Sequence, residues 1–172
     1  MKKPIKIGVL SDSHLETRLH NEAIRYLVEQ GAKYLLHAGD LELKEHLESL
    51  ARTNLPYVCV YGNNDTQLIS FCNEYSIYRE PYYFKINDLK IKMMHTPYYM
   101  SADADIVISG HTHKFEAYRR GETLFVNPGE VCAREKALSE SVMLEVSKES
   151  IDVIYHSRHL EASTWKSEKL IF

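Results

Sequence analysis

The feature that most constrains this chain is the way its short apolar runs end. The run from Ile5 stops abruptly at Ser11-Asp12-Ser13-His14. A strand followed at once by Asp-x-His delivers a carboxylate and an imidazole together at the strand's end, where open α/β sheets place their ligand sites. Taken alone the pattern is weak, because Asp and His also cap helices and satisfy backbone groups in ordinary turns. Its weight comes from repetition downstream. Strand-like runs empty in turn into His37-Ala38-Gly39-Asp40, Gly62-Asn63-Asn64-Asp65, His95 and Gly110-His111-Thr112-His113.

Between these endings the periodicity alternates. Ala23, Ile24, Leu27 and Val28 recur at helical spacing within Leu19 to Gln30, and Gly31 stops them. Tyr34 to Leu36 reads as a buried strand. Leu43, Leu47, Leu50 and Ala51 then form a second helical stripe, and Tyr57 to Tyr61 a third strand. This β-α-β-α-β order predicts a largely parallel sheet with covering helices. From Tyr82 the texture changes to alternation: 82–86 and 89–93 around an Asn87-Asp88 turn, 115–120 with 122–126 closed by Asn127-Pro128-Gly129, and 141–146 with 151–156. One β-α-β half and one hairpin-rich half imply a single domain over residues 1–172. The expected fold is α/β, a four-layer α/β/β/α sandwich of two mixed sheets. The tail from His159 to Phe172 has no clear period.

A chain of 172 residues can bury a sizeable core. Hydrophobic content of 44% and charged content of 26% are ordinary for a globular protein, and no apolar run is long enough to cross a bilayer. Met1-Lys2-Lys3-Pro4 leads straight into the first strand without room for a signal peptide, so a cytoplasmic location is expected, with no membrane partner. Cys59, Cys72 and Cys132 have no CxxC spacing and are odd in number, which suits neither a disulfide framework nor a cysteine zinc site. A formal charge of −3 argues against broad nucleic-acid binding and for a small substrate, while a local metal pair could still attract one phosphate.

The candidate ligands at strand ends are Asp12, His14, Asp40, Asn63, His95, His111 and His113. All offer oxygen or imidazole nitrogen. Seven such groups exceed what one tetrahedral zinc needs, and they suit two five- or six-coordinate divalent ions. His20, His46, His156 and His159 lie outside any motif and are assigned to packed or solvated positions. His37 is expected to be buried and hydrogen-bonded near the site rather than a ligand.

Asp12-x-His14, Gly39-Asp40, Gly62-Asn63-x-Asp65, His95 and Gly110-His111-Thr112-His113, in this order, resemble the calcineurin-like metallophosphoesterase superfamily. The compact chain and the Asn127-Pro128-Gly129 after a late strand are similar to its small bacterial and archaeal phosphodiesterase branch. The resemblance implies one metal on Asp12, His14 and His113, a second on Asn63, His95 and His111, and Asp40 bridging both. It implies manganese, with iron, zinc or nickel as alternatives, because an oxygen and imidazole shell discriminates weakly. Two ions roughly 3.5 to 4 Å apart would share a hydroxide, cancel phosphate charge and clamp an in-line displacement at phosphorus. The implied activity is hydrolysis of a small phosphodiester.

Three positions depart from that pattern. The residue after the ligand asparagine, often a histidine acting on the leaving group, is Asn64. It is expected near the substrate but cannot donate a proton as a general acid, so no side chain is assigned as catalytic. The usual glycine after the ligand histidine is Thr96, and an aromatic loop, Pro97-Tyr98-Tyr99-Met100, replaces a helix before His111. Glu130 stands where a small residue often follows Asn-Pro-Gly, and is expected to point away from the metals or to support a ligand. Two other readings stand beside the diesterase: a phosphomonoesterase or nucleotidase using the same site, and a non-catalytic scaffold, the use of this fold in a eukaryotic retromer subunit. A homo-oligomer stays open.

Overall fold

The computed structural model describes residues 4–172; Met1, Lys2 and Lys3 of the leading segment lie outside the described residues. The first half runs β1 (Ile5–Leu10), α1 (Thr17–Glu29), β2 (Tyr34–His37), α2 (Lys44–Arg52) and β3 (Tyr57–Val60). A 3-10 turn at Thr66–Phe71 and a two-residue strand, β4 (Ile77–Tyr78), complete it. The second half is almost all strand. It comprises β5 (Tyr82–Ile86), β6 (Leu89–Met93), β7 (Ile106–Ile108), β8 (Phe115–Arg120), β9 (Thr123–Pro128), β10 (Leu138–Val146), β11 (Ile151–His159) and β12 (Lys166–Leu170).

These strands form two mixed sheets. A seven-stranded sheet has the order β12-β11-β10-β1-β2-β3-β4, and a five-stranded sheet the order β5-β6-β7-β9-β8. Within them β1, β2, β3 and β4 run parallel, as do β6, β7 and β9. The sheets face each other across one core. Ile7, Val9, Leu36, Val60 and Val142 from the first meet Ile91, Met93, Ile106, Ile108, Leu124 and Val126 from the second, all buried. Because side chains alternate along a strand, the intervening residues face outward.

On the outer face of the seven-stranded sheet, Leu10, Leu35, Cys59 and Met143 are covered by Leu19, Ala23, Ile24 and Leu27 of α1 and Leu47 and Leu50 of α2. Gly8 is where the helix comes closest: a Cβ there would lie 3.0 Å from Leu27 Cδ1. The outer face of the five-stranded sheet is treated differently. Met94, Val107 and Phe125 are capped there by Ala104 and the half-buried Met100 from the 96–104 loop. Among the described residues no helix covers that face, so the α/β fold of two mixed sheets holds with few helices and a thin fourth layer.

Two short elements and the tail were not visible as periodic patterns. β4 adds parallel to β3 through Cys59↔Ile77, and β12 adds antiparallel to β11 through Val153↔Leu170 to Ser157↔Lys166. The tail therefore packs on its own domain. Trp165 stacks on Tyr26 of α1 with centroids 4.7 Å apart. Among the described residues no helix is long and apolar enough to cross a membrane.

Candidate metal centre

The parallel strands of both sheets end in one place. β1 ends at Asp12 and His14, β2 at Asp40, β3 at Asn63, β6 at His95 and β7 at His111 and His113, so all seven candidate ligands leave the sheets at carboxyl ends of parallel strands. The convergence is held by backbone bonds between the turns: Asp12 N–H donates to Gly39 O at 3.0 Å, His14 N–H to Asp40 O at 2.9 Å, and Gly110 N–H to His95 O at 2.9 Å. Five of the seven, Asp12, His14, Asp40, His111 and His113, have positive φ between 47° and 68°. Left-handed backbone at non-glycine residues costs on the order of 1 kcal/mol each, and such strain collects at functional sites. The turns also need glycine. Gly39 has φ +94°, and a Cβ at Gly62 would lie 2.1 Å from Asp40 Oδ1.

Two groups of atoms form. In the first, His14 Nε2 and His113 Nε2 are 3.3 Å apart, and Asp12 Oδ1 lies 3.3 Å from His113 Nε2 and 3.8 Å from His14 Nε2. In the second, Asn63 Oδ1 lies 3.0 Å from His95 Nε2 and 3.1 Å from His111 Nδ1, with those two nitrogens 3.3 Å apart. Asp40 Oδ2 stands between the groups, 3.7 Å from His14 Nε2 and 3.4 Å from His95 Nε2. Asp12, His14, Asp40 and His95 are buried, His113 is half-buried, and Asn63 and His111 are exposed. The centre thus has a closed floor and one open side.

Hydrogen bonds behind the rings decide what the facing atoms can do. His14 Nδ1 is 2.5 Å from Glu42 Oε1, and His113 Nδ1 is 2.5 Å from Glu130 Oε2. His95 Nδ1 is 2.8 Å from Ala38 O. Each of these partners is an acceptor, so each Nδ1–H donates to it and Nε2 is the atom left to face the centre. Those Nε2 atoms point at one another and at carboxylate or amide oxygens. Asp12 Oδ2 is occupied by Ser11 Oγ at 2.5 Å and His111 N–H at 3.0 Å, while buried Asp12 Oδ1 has no hydrogen-bond partner. Acceptors facing acceptors repel unless a proton or cation lies among them, so this donor set fits bound cations.

The charge of the groups tells the same story. Burial alone would lower His95, but the Asp40 and Asp12 carboxylates outweigh it and lift it to about 9. Burial would raise Asp40, yet hydrogen bonds from His95 and Asn64 hold it well below the ordinary carboxylate range. The carboxylates thus favour positive charge at this point of the centre.

Other expected residues fall as follows. Asn64, expected beside the substrate, is exposed at the open side, but its backbone N–H donates to Asp40 Oδ1 at 2.9 Å and its Nδ2 to Asp40 Oδ2 at 2.8 Å. Its amide therefore holds the Asp40 carboxylate. Glu130 is fully buried behind His113 and accepts from its Nδ1, and His37 is fully buried with Nε2 2.8 Å from Ser13 Oγ. Tyr98 and Tyr99 are exposed and Met100 alone of that loop packs inward, so the tyrosines do not cover the core.

The sequence pattern missed Glu42, Glu80 and Cys132. Glu80 Oε2 accepts from the N–H groups of His95 and Thr96 at 2.5 and 2.8 Å and fixes the turn that carries His95. Cys132 lies beside the first group, a ligand-type atom from each of His14, His113 and Cys132 lying within 4.8 Å of the others. Burial and the Glu130 carboxylate push its thiol up to about 12, and Sγ donates to Glu130 Oε2 at 3.5 Å. All three cysteines are free. None of these residues repeats at a strand end, so no pattern could have marked them.

Comparison with known proteins bears on the family and the fold. The family model of the calcineurin-like phosphoesterase superfamily domain matches residues 5–149. The phosphodiesterase of Methanocaldococcus jannaschii is 26% identical over 157 residues, covering 84% of this chain and 95% of that one. A solved archaeal phosphodiesterase has a TM-score of 0.75 at 25% identity, covering 90% of this chain and 99% of that one. Vps29 of Chaetomium thermophilum has a TM-score of 0.75 at 16% identity over 96% of this chain and 97% of that one, a likeness of fold alone. The chain belongs to the calcineurin-like phosphoesterase superfamily, a family of phosphoric ester hydrolases.

Proposed function

We propose that the protein hydrolyses small phosphodiesters with two divalent ions, manganese by expectation, held by Asp12, His14 and His113 on one side and Asn63, His95 and His111 on the other, with Asp40 shared. The observation that carries this reading is the convergence of ligand-type atoms: ring nitrogens of four histidines, Asn63 Oδ1, Asp40 Oδ2 and the unpartnered Asp12 Oδ1 all face inward within 3.0 to 3.8 Å of a neighbour. When bound, such a pair of ions supplies charge neutralisation at phosphorus and acidifies a water for in-line attack.

The chain's own residues orient that chemistry. Ser11 and the His111 N–H occupy Asp12 Oδ2 and leave Oδ1 free to bind. Asn64 holds Asp40 from the open side, and Glu80 fixes the His95 turn. The exposed Asn63 and His111 border the side from which a phosphate can enter. Attack by water breaks one P–O ester bond and releases an alcohol and a phosphomonoester.

The test is hydrolysis of matched aryl phosphodiester and phosphomonoester substrates by metal-free protein, with each divalent ion added back. Metal-dependent turnover that prefers the diester is expected. Preference for the monoester would select the phosphomonoesterase reading, and no turnover with any ion would select the scaffold.

A further inference from the structure

We infer that Glu42 and Glu130 are positioning residues that make the two metal positions unequal, so that the position formed by Asp12, His14 and His113 takes its ion first and more tightly. The inference rests on the dinuclear reading above. Both carboxylates stand behind histidines of that one position. Glu42 reaches His14 from the turn after β2 and Glu130 reaches His113 from the turn after β9, each at 2.5 Å from Nδ1. The turn that carries Glu42 is fixed by its N–H, which donates to Asp65 Oδ1 at 2.6 Å, and the Glu130 carboxylate itself is held by Oε1, which accepts from the N–H groups of Glu135 and Lys136 at 2.8 and 2.9 Å.

A carboxylate behind an imidazole N–H fixes the tautomer, aims the other nitrogen and raises its basicity toward a metal. Here the effect is doubled at one position, and Glu130 is fully buried while the Glu42 side chain is only 18% exposed, so solvent and salt screen little of it. The other position has no such backing. His95 is backed by the neutral Ala38 carbonyl, His111 is exposed and faces the site with Nδ1, and Asn63 is an uncharged ligand. With Asp40 shared, the first position has Asp12 as a ligand of its own and two supporting carboxylates, whereas the second has no carboxylate of its own among the described residues.

Isothermal titration calorimetry of metal-free protein with Mn2+ alone tests this without reference to activity. The intact chain should bind in two resolved steps. Glu42→Gln keeps an acceptor for His14 Nδ1–H but removes the charge, and should weaken the tighter step by about 10-fold. Glu42→Ala removes both and should approach 100-fold, the upper end of the range for such outer partners. Glu130→Gln turns amide hydrogens toward either His113 or the backbone N–H groups, and should also weaken the tighter step. The weaker step should move less than about 2-fold in all three variants, and Asn63→Ala should remove that step alone. Because Glu130 organises its own loop, the Glu42 pair decides if Glu130→Gln loses structure by circular dichroism. Two equal steps in the intact chain, or a Glu42→Ala variant that leaves the tighter step unchanged, would overturn the inference and leave the dinuclear reading standing. Saturation at one ion per chain would overturn both.

Discussion

Asp40 and the two asparagines after Gly62 carry the most information at the scale of single residues. Asn63 Oδ1 sits between His95 and His111, whereas Asn64 spends its side-chain amide on Asp40 Oδ2. Asp40→Ala should therefore abolish turnover and weaken both ions, measured by rate and by metal analysis. Asn64→Ala should cost less than Asp40→Ala and still leave two ions bound, because only a supporting hydrogen bond of about 1 to 2 kcal/mol is lost. Neither asparagine can donate a proton to a departing alkoxide, so rates across a series of aryl and alkyl diesters should fall steeply as the leaving-group pKa rises. A flat series would mean that another side chain protonates the leaving group. Much of the site was legible at this scale because ligand types repeat at strand ends. Glu130 was marked by its place after Asn-Pro-Gly, whereas Glu42 and Glu80 support the site through contacts made only after folding, which leave no spacing to read.

Elements were legible where a period ran long enough to be unambiguous. α1 buries Leu19, Ala23, Ile24 and Leu27 on one face, and the 82–93 hairpin pairs in the register its alternation implies. β4 has two residues and β12 reads Lys-Ser-Glu-Lys-Leu, so neither carries an apolar period, and both exist because a neighbouring strand offers an open edge. Leu27 is fully buried against the sheet beside Gly8. Leu27→Ala should lower unfolding free energy by about 2 to 5 kcal/mol in urea denaturation. The loop after His95 is held at its far end by a fully buried lysine: Lys92 Nζ donates to Ser101 Oγ at 2.7 Å and Asp103 Oδ1 at 2.9 Å, and Tyr83 Oη to Asp103 Oδ2 at 2.8 Å. Its exposed tyrosines are thus presented from fixed ends. Tyr98→Ala and Tyr99→Ala should change selectivity between bulky and small diesters, and equal losses on every substrate would show that the loop acts only on stability.

For the molecule as a whole, the two sheets share a core with the carboxyl ends of their parallel strands at the same edge, and that convergence brings the candidate ligands together. Beneath the site lies a buried set of three further histidines. Ser13 Oγ bridges His20 Nδ1 at 2.7 Å and His37 Nε2 at 2.8 Å, and His20 stacks on His46 with centroids 4.1 Å apart. Burial first, then repulsion from neighbouring histidines for His20 and His37, lowers these groups below their ordinary values. The unfolded chain takes up protons near pH 6.5 that the folded chain refuses, so their contribution is complete above that pH and is lost as pH falls below it. The urea midpoint should drop between pH 7.5 and 5.5, and His20→Gln should remove part of that drop. An unchanged pH dependence in the variant would mean that the buried set is not the cause. The central claim is that one chain holds two ions on these seven ligands. Metal analysis of stripped and reloaded protein tests it most directly: two ions per chain are expected, falling toward one in Asn63→Ala, and a saturating stoichiometry of one with no weaker second step would contradict it.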